Sequence, residues 1–253
     1  MRTVIILFTA VFTFALAPTL ASAGANKPFV ATTVQSAPKM AEQRGKIFVS
    51  PQGMRFEYFE NGREMVKIVM PEKRLMRVLI PADKIYMEVQ APADTPMVKR
   101  NDSSPCPPVP IMTCTKVGID KFGDMDVERW SQSIKDRPGT ATLWWEPKRK
   151  MVVRHEFPDG RIEQLNLAGI VDFDGRKAEH WDISYAQPGG QVVKAYRLVD
   201  TKLGIIVKEQ DPAGLTRELR DLEVVESDAA WFAVPEGFQR IAAPKPGAAP
   251  QKQ

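Results

Sequence analysis

Apolar and polar residues alternate in short runs through residues 46–90, and each run ends at a turn signal. The runs are rich in Val, Ile, Phe, Tyr and Met at the two-residue period of a strand, not the 3.6-residue period of a helix. The turn signals are Ser50-Pro51-Gln52-Gly53, Asn61-Gly62, Pro71-Glu72-Lys73 and Pro81-Ala82-Asp83. Asn-Gly tolerates the positive φ of a two-residue hairpin turn, and Pro presets φ in wider turns. The pattern predicts an antiparallel meander.

One face of this meander is predicted to bind an apolar ligand. If the hairpins are regular, its side chains are Phe56, Tyr58, Ile68, Met70, Met76, Val78, Ile85 and Met87. The other face is also partly apolar, so the sheet needs cover on both sides, or cover on one side and a ligand on the other. Methionine adapts to irregular apolar shapes at binding surfaces. Ordinary core filling is the alternative interpretation of the same residues.

Residues 91–115 interrupt the strand pattern with several prolines and the two cysteines of the chain, Cys106 and Cys114. A long irregular segment in a compact domain is typical of a lid. In an oxidising compartment the two cysteines are predicted to form a disulfide that closes this loop. A metal site or a redox-active pair is the weaker alternative, because the chain has only two histidines and no C-x-x-C spacing.

Residues 117–225 form two related units. Residues 122–130 resemble residues 173–181, and residues 151–154 resemble residues 205–208. Two units are too few for a solenoid, so we expect the repeat to extend one continuous sheet. Residues 231–238 are predicted to be a closing strand. Because helical periodicity is weak throughout, the expected fold is mainly β: a single antiparallel sheet curved into an open half-barrel with a lid.

Residues 1–23 have the features of a secretory signal peptide. Arg2 is followed by an apolar run at 4–16 and by an A-x-A site, so cleavage is expected after Ala23. The run is too short for a transmembrane helix, and no lipidation Cys follows it. We therefore expect a periplasmic protein that does not span the membrane, with one β domain at 24–241 and a disordered tail at 242–253.

Charge and motif content argue against nucleic-acid binding and catalysis. The formal net charge of +4 is spread along the chain without a basic stripe. His155 alternates along a predicted strand, and the repeat places Arg129 at the position of His180. Asp172 and Asp174 lack the further oxygen ligands that a cation site needs. No nucleophile motif, P-loop or H-E-x-x-H occurs, so no enzyme, cofactor or metal is expected.

Five short motifs together are similar to those of a known family; they lie at residues 45–51, 54–57, 79–86, 198–205 and 232–238. These motifs resemble the LolA/LolB/RseB superfamily of periplasmic lipid-handling proteins. The resemblance implies an unclosed antiparallel barrel under a lid, with an apolar concave face for acyl chains, in a carrier, receptor or sensor. At 50–54 the chain reads Ser-Pro-Gln-Gly-Met, where the carrier branch has Arg-Pro-x-x-Phe. The chain therefore resembles an exported branch distinct from the lipoprotein carrier and its anchored receptor.

Two hypotheses of function follow. The first is a periplasmic binding or carrier protein for a lipid or the acyl chain of a lipoprotein, held on the apolar β surface. The alternative is a non-enzymatic sensor or scaffold that docks an envelope protein partner, as in RseB-like proteins. In the second hypothesis the apolar face is core.

Overall fold

A computed structural model describes residues 27–92, 103–107 and 109–243. These residues contain sixteen strands and two short 3-10 helices, Pro81–Asp83 and Ala229–Phe232. The strands are β1 (Phe29–Ser36), β2 (Gln43–Ser50), β3 (Gly53–Glu60), β4 (Arg63–Met70), β5 (Leu75–Ile80), β6 (Ile85–Gln90), β7 (Met112–Phe122), β8 (Met125–Ile134), β9 (Ala141–Glu146), β10 (Met151–Glu156), β11 (Ile162–Phe173), β12 (Arg176–Ala186), β13 (Val192–Asp200), β14 (Ile206–Gln210), β15 (Thr216–Val224) and β16 (Gln239–Ile241). The predicted signal peptide, residues 93–102 and 108 of the predicted lid, and residues 244–253 of the predicted tail lie outside the described residues.

All sixteen strands belong to one sheet. From one edge, β16 pairs with β6, and β6 to β1 follow in reverse chain order; β1 then pairs with β15, and β15 to β7 continue to the other edge. Every pairing is antiparallel except β16 with β6. Because β7 and β16 do not pair, the sheet is not closed into a barrel. The predicted fold class is confirmed.

The turns of the meander form where the sequence predicts them. Asn61 and Gly62 both have positive φ, at 53° and 75°, as a two-residue hairpin turn requires. The Arg74 N–H donates to the Pro71 carbonyl oxygen at 2.8 Å, and the Lys84 N–H donates to the Pro81 carbonyl oxygen at 3.1 Å.

The described residues contain no helix long and apolar enough to cross a membrane.

Curvature of the sheet brings its distant strands into one core. Phe29 of β1 and Ile47 of β2 belong to the same buried cluster as Ala178 of β12 and Leu198 of β13. At the β11–β12 turn, the Asp174 carboxylate accepts a hydrogen bond of 2.6 Å from the backbone N–H of Asp221 in β15. Strands that are not neighbours in the sheet can meet in this way only if the sheet curls.

The related segments 122–130 and 173–181 lie in corresponding hairpins, β7–β8 and β11–β12. The pairing register shifts between Lys116 and Gly118 in the first hairpin. It shifts at the equivalent place in the second, between Leu167 and Gly169. In both hairpins a tryptophan indole N–H donates to a glutamate two residues earlier at 3.0 Å: Trp130 to Glu128 and Trp181 to Glu179.

Residues 231–238 do not form the predicted closing strand. Residues 229–232 are a 3-10 helix, which starts where the Asp228 carboxylate accepts a hydrogen bond from the Ala230 N–H at 2.8 Å. The chain resumes a strand only at β16. Trp231, Phe232 and Phe238 pack against the meander instead of alternating along a strand. The apolar run that favours a strand in the sequence instead covers one face of the meander strands.

Candidate functional site

The pairing register of β3 to β6 determines which meander side chains share a face. Directly opposite residues in antiparallel strands point to the same side of a sheet. Phe56 lies opposite Lys67, Lys67 opposite Val78, and Val78 opposite Met87. These four residues form the middle row of one face.

A row on each side of the middle row completes this face, which we call the open face. Its residues are Met54, Val69, Met76 and Val89 in one row, Phe56, Lys67, Val78 and Met87 in the middle row, and Tyr58, Met65, Ile80 and Ile85 in the third. All are half-buried except Val89, which is exposed. At its inner edge the open face meets the main core, because Met54 and Phe56 pack against that cluster. The result is a broad apolar surface that the described residues cover only in part.

The opposite face of the same strands is covered. Val66, Ile68, Met70 and Leu79 are buried there with Phe232, and Trp231 and Phe238 pack against them. Two arginines of this face hold the covering segment in place: Arg55 donates to the Trp231 carbonyl oxygen at 3.2 Å, and Arg77 donates to the Phe232 carbonyl oxygen at 3.1 Å. The pairs Arg55–Glu57 and Arg77–Glu88, at 2.7 and 2.8 Å, orient the same guanidinium groups.

Of the eight predicted ligand contacts, six lie on the open face and two do not. Phe56, Tyr58, Met76, Val78, Ile85 and Met87 are together. Ile68 and Met70, which are 0% and 3% exposed, lie on the covered face. The expectation of one common face is therefore wrong for these two residues. Ligand binding by the other six stays a prediction.

Ile68 and Met70 lie on the other face because a two-residue turn sets which residues of β3 and β4 are opposite each other. The Asn61-Gly62 turn places Glu60 opposite Arg63, so even-numbered residues of β3 face odd-numbered residues of β4. The turn signal was in the sequence, and strict use of it would have replaced Ile68 and Met70 by odd-numbered residues of β4. Lys67 is the most important residue that the sequence reasoning missed for this reason.

The predicted disulfide between Cys106 and Cys114 is confirmed, with Cα atoms 6.3 Å apart. The loop packs on the end of the β7–β8 hairpin. The Gln132 side-chain amide lies 3.4 Å from the Cys106 Sγ and 3.3 Å from the Met112 Sδ, and the Lys135 N–H donates to the Ile111 carbonyl oxygen. That this loop acts as a lid over the open face stays a prediction.

A shallow depression elsewhere, at the β1–β2 hairpin, is lined in part by Gln35, Met40 and Leu215 and encloses no measurable cavity. Ligand pockets for small molecules are usually about 300–1,000 Å³. This depression is too small for an acyl chain. The open face is the better candidate.

Two of the side chains considered for catalysis or metal binding make local contacts. Asp172 forms an ion pair with Lys177 at 2.8 Å, and the His155 ring stacks on Phe157 with 3.7 Å between ring centroids. Within the described part of the chain, no group of three or more His, Cys, Asp or Glu side chains could hold a metal ion.

The chain is similar in structure to several solved proteins. A LolA superfamily protein from Nitrosomonas europaea is 11% identical with a TM-score of 0.39, over 82% of this chain and 90% of that chain. A DUF1329 family protein from Desulfovibrio piger is 11% identical with a TM-score of 0.35, over 83% of this chain and 90% of that chain. MucB, solved in complex with MucA(peri), is 10% identical with a TM-score of 0.21, over 83% of this chain and 98% of that chain. No family model and no curated protein matches the chain. Solved structures similar to this chain thus include a protein of the superfamily that the sequence motifs resemble.

Proposed function

We propose that this protein binds a lipid, or the acyl chain of a lipoprotein, on the open face, and that it does so in the periplasm after cleavage at Ala23. The observation that carries the proposal is the contrast between the two faces of one four-stranded sheet. One face is sealed by residues 229–238 and has a fully buried core. The other is apolar except at Lys67, yet its side chains stay half-buried or, at Val89, exposed. Apolar patches that a chain leaves uncovered mark interaction sites.

The expected affinity explains why a lid accompanies such a face. Complete burial of a fourteen-carbon chain is worth on the order of 10 kcal/mol, at about 0.8 kcal/mol per CH₂. A surface that contacts only one side of the acyl chain gains about half of this free energy, about 5 kcal/mol. That free energy corresponds to a Kd of roughly 0.2 mM. Cover on the second side would bring the affinity into the range of a carrier, and the loop closed by Cys106 and Cys114 is the proposed cover.

Two methionines on opposite faces provide the test. Met87→Glu places a charge on the open face at a half-buried position. The variant should therefore still fold, but its affinity for a fluorescent fatty acid should fall by more than tenfold. Met70→Glu buries an unpaired carboxylate in the covered core, so it should instead lower the free energy of unfolding by several kcal/mol. Fluorescence titration and thermal melts measure the two effects.

Phe59→Glu is the matched control for the added charge. Phe59 lies on the same strands, is 65% exposed and points away from the open face. This variant should bind the fatty acid as the wild type does. A folded Met87→Glu variant with unchanged binding would contradict the proposal.

One observation favours partner docking as a second candidate function. In the part of the chain that the structure describes, strand β7 forms an edge of the sheet and pairs on one side, with β8. Val117 and Ile119 of this strand are 54% and 80% exposed. Such an edge can accept an extended peptide as an added strand. An Ile119→Lys variant should then lose a partner that the Met87→Glu variant retains, in pull-downs with each protein.

A further inference from the structure

A single cation lies at the centre of the open face. Lys67 is directly opposite Phe56 on one side and Val78 on the other. Met65 and Val69 are its neighbours along β4 on the same face. Four apolar side chains therefore surround a half-buried lysine. Its hydrocarbon stem adds to the apolar surface, while its ammonium group stands above that surface.

No hydrogen bond, ion pair or ring contact engages Lys67 within residues 27–92, 103–107 and 109–243. Its counterparts on the covered face differ. Arg55 and Arg77 each pair with a glutamate, and each also donates to a backbone carbonyl oxygen. The ammonium group of Lys67, which no carboxylate of the described residues engages, can therefore pair with an anion that arrives from outside.

We propose that Lys67 pairs with the carboxylate of a single-chain fatty acid whose tail lies on the surrounding apolar rows. This inference rests on the proposed function and narrows its ligand from any acyl chain to one with a negatively charged head. The charge and the apolar surface are complementary to the two parts of that molecule. A glycerophospholipid would bring a phosphodiester and two ester groups, whereas the cation of the open face is the single ammonium group of Lys67.

The test compares dodecanoic acid with methyl dodecanoate, below their aggregation concentrations, at neutral pH and low salt. The wild type should bind the acid about fivefold more tightly than the ester. Lys67→Met keeps an apolar side chain of similar length, so the variant should bind the ester within twofold of the wild type and lose the preference for the acid. Lys46→Met is the control: it removes an exposed lysine of β2 that lies on the other face of the sheet from Lys67. This variant should keep the preference for the acid.

The outcomes separate this inference from the proposed function. If Lys67→Met retains the preference for the acid, the role of Lys67 is wrong while acyl binding stands. If neither ligand binds the wild type, the proposed function fails and the inference with it. If vesicles with phosphatidylglycerol bind through Lys67 while dodecanoic acid does not, the site recognises a membrane surface and the fatty-acid assignment is overturned.

Discussion

His155 of β10 and Glu163 of β11 lie directly opposite each other in the sheet, and Tyr185 of β12 lies opposite Glu163. Burial lowers the pKa of His155, and the positive charge of Arg161 lowers it further. Burial raises the pKa of Glu163 against the opposing effect of Arg197. Both groups are held toward their neutral forms, so each makes the stability of the fold depend on pH, in opposite directions.

The Glu163→Gln variant isolates the carboxylate contribution. A carboxyl group whose pKa is higher in the folded chain costs stability as the pH rises from about 4, its unfolded value, through the folded pKa. The melting temperature of Glu163→Gln, relative to the wild type, should therefore rise between about pH 4 and pH 7. Thermal melts across this range measure the difference, with the exposed Glu42→Gln as the control. A difference that stays constant with pH would contradict the expectation.

Asp200 is a buried carboxylate with a structural role. It accepts hydrogen bonds from Arg176 at 2.6 Å and from the backbone N–H groups of Lys202 and Leu203 at 2.9 and 2.7 Å. Burial alone would raise the pKa of Asp200, but Arg176 and these N–H groups together hold that pKa below its usual value. The carboxylate thus joins the end of β13 to the following turn.

Loss of this carboxylate should be costly. Asp200→Ala leaves Arg176 and two backbone donors without their acceptor, so the free energy of unfolding should fall by about 3 kcal/mol. Asp200→Asn retains an acceptor oxygen for the backbone and should cost clearly less. Urea unfolding at neutral pH compares the two variants, and equal losses would show that the backbone contacts contribute little.

Among the elements, the meander was the part most accessible to prediction from the sequence. Its turns depend on local chemistry, such as the positive φ of Asn61 and Gly62, and local chemistry is visible in a single sequence. The repeat is visible in the sequence for the same reason, and the structure adds one shared turn between its matched segments. Glu146 ends β9 and accepts from the Lys148 and Arg149 N–H groups, as Asp200 does after β13. This shared turn is not visible in the sequence, because the first unit has Glu146 where the second has Asp200.

The segment 229–238 could not be assigned from its own sequence. Its aromatic residues fit a strand as well as a cover, and only their contacts with Val66, Ile68 and Leu79 decide between the two. The predicted ligand contacts are limited in the same way. The sequence pattern places eight apolar residues on one face, but the pairing register puts Ile68 and Met70 on the other face, under residues 229–238.

The covering segment should contribute strongly to stability. Phe232 is 5% exposed and packs in the covered core. Phe232→Ala should lower the free energy of unfolding by about 3 kcal/mol, because it leaves a cavity over β4 and β5. Phe59→Ala removes the same side chain at a 65% exposed position and should change stability by less than about 0.5 kcal/mol. Similar losses in both variants would show that residues 229–238 do not seal this face.

On the scale of the whole molecule, the covalent chain itself requires a curled sheet. Pro92 follows β6 near one edge, whereas Cys106 lies against Gln132 of β8 near the other edge. The chain between Pro92 and Cys106 spans at most about 50 Å when fully extended. In a flat sheet β6 and β8 would be roughly 60 Å apart. The half-barrel therefore follows from the connection as well as from the shared core.

One sheet does not imply one uniform stability. The buried residues form three clusters: one under the meander, one at the centre, and one between β8 and β12. Strand β7 supplies none of the buried members of these clusters and only the partly buried Phe122 beside the third, and within the described residues it pairs with β8 alone. The loop closed by Cys106 and Cys114 is anchored on this same edge hairpin through Gln132. Proteins open locally where buried contacts are few, so β7 should depend on the disulfide more than any other strand.

Removal of the disulfide tests this dependence. The double variant Cys106→Ser, Cys114→Ser loses the constraint on a short loop, which is worth about 2–3 kcal/mol. Because the loop contacts β7 and β8, hydrogen exchange should accelerate in peptides from residues 112–134, while peptides from residues 43–90 keep their protection. Mass spectrometry of the variant and the wild type under one set of conditions gives both readings. Equal acceleration in the two regions would mean that the curled sheet unfolds as a single unit, and that the disulfide stabilises the whole molecule rather than the edge hairpin.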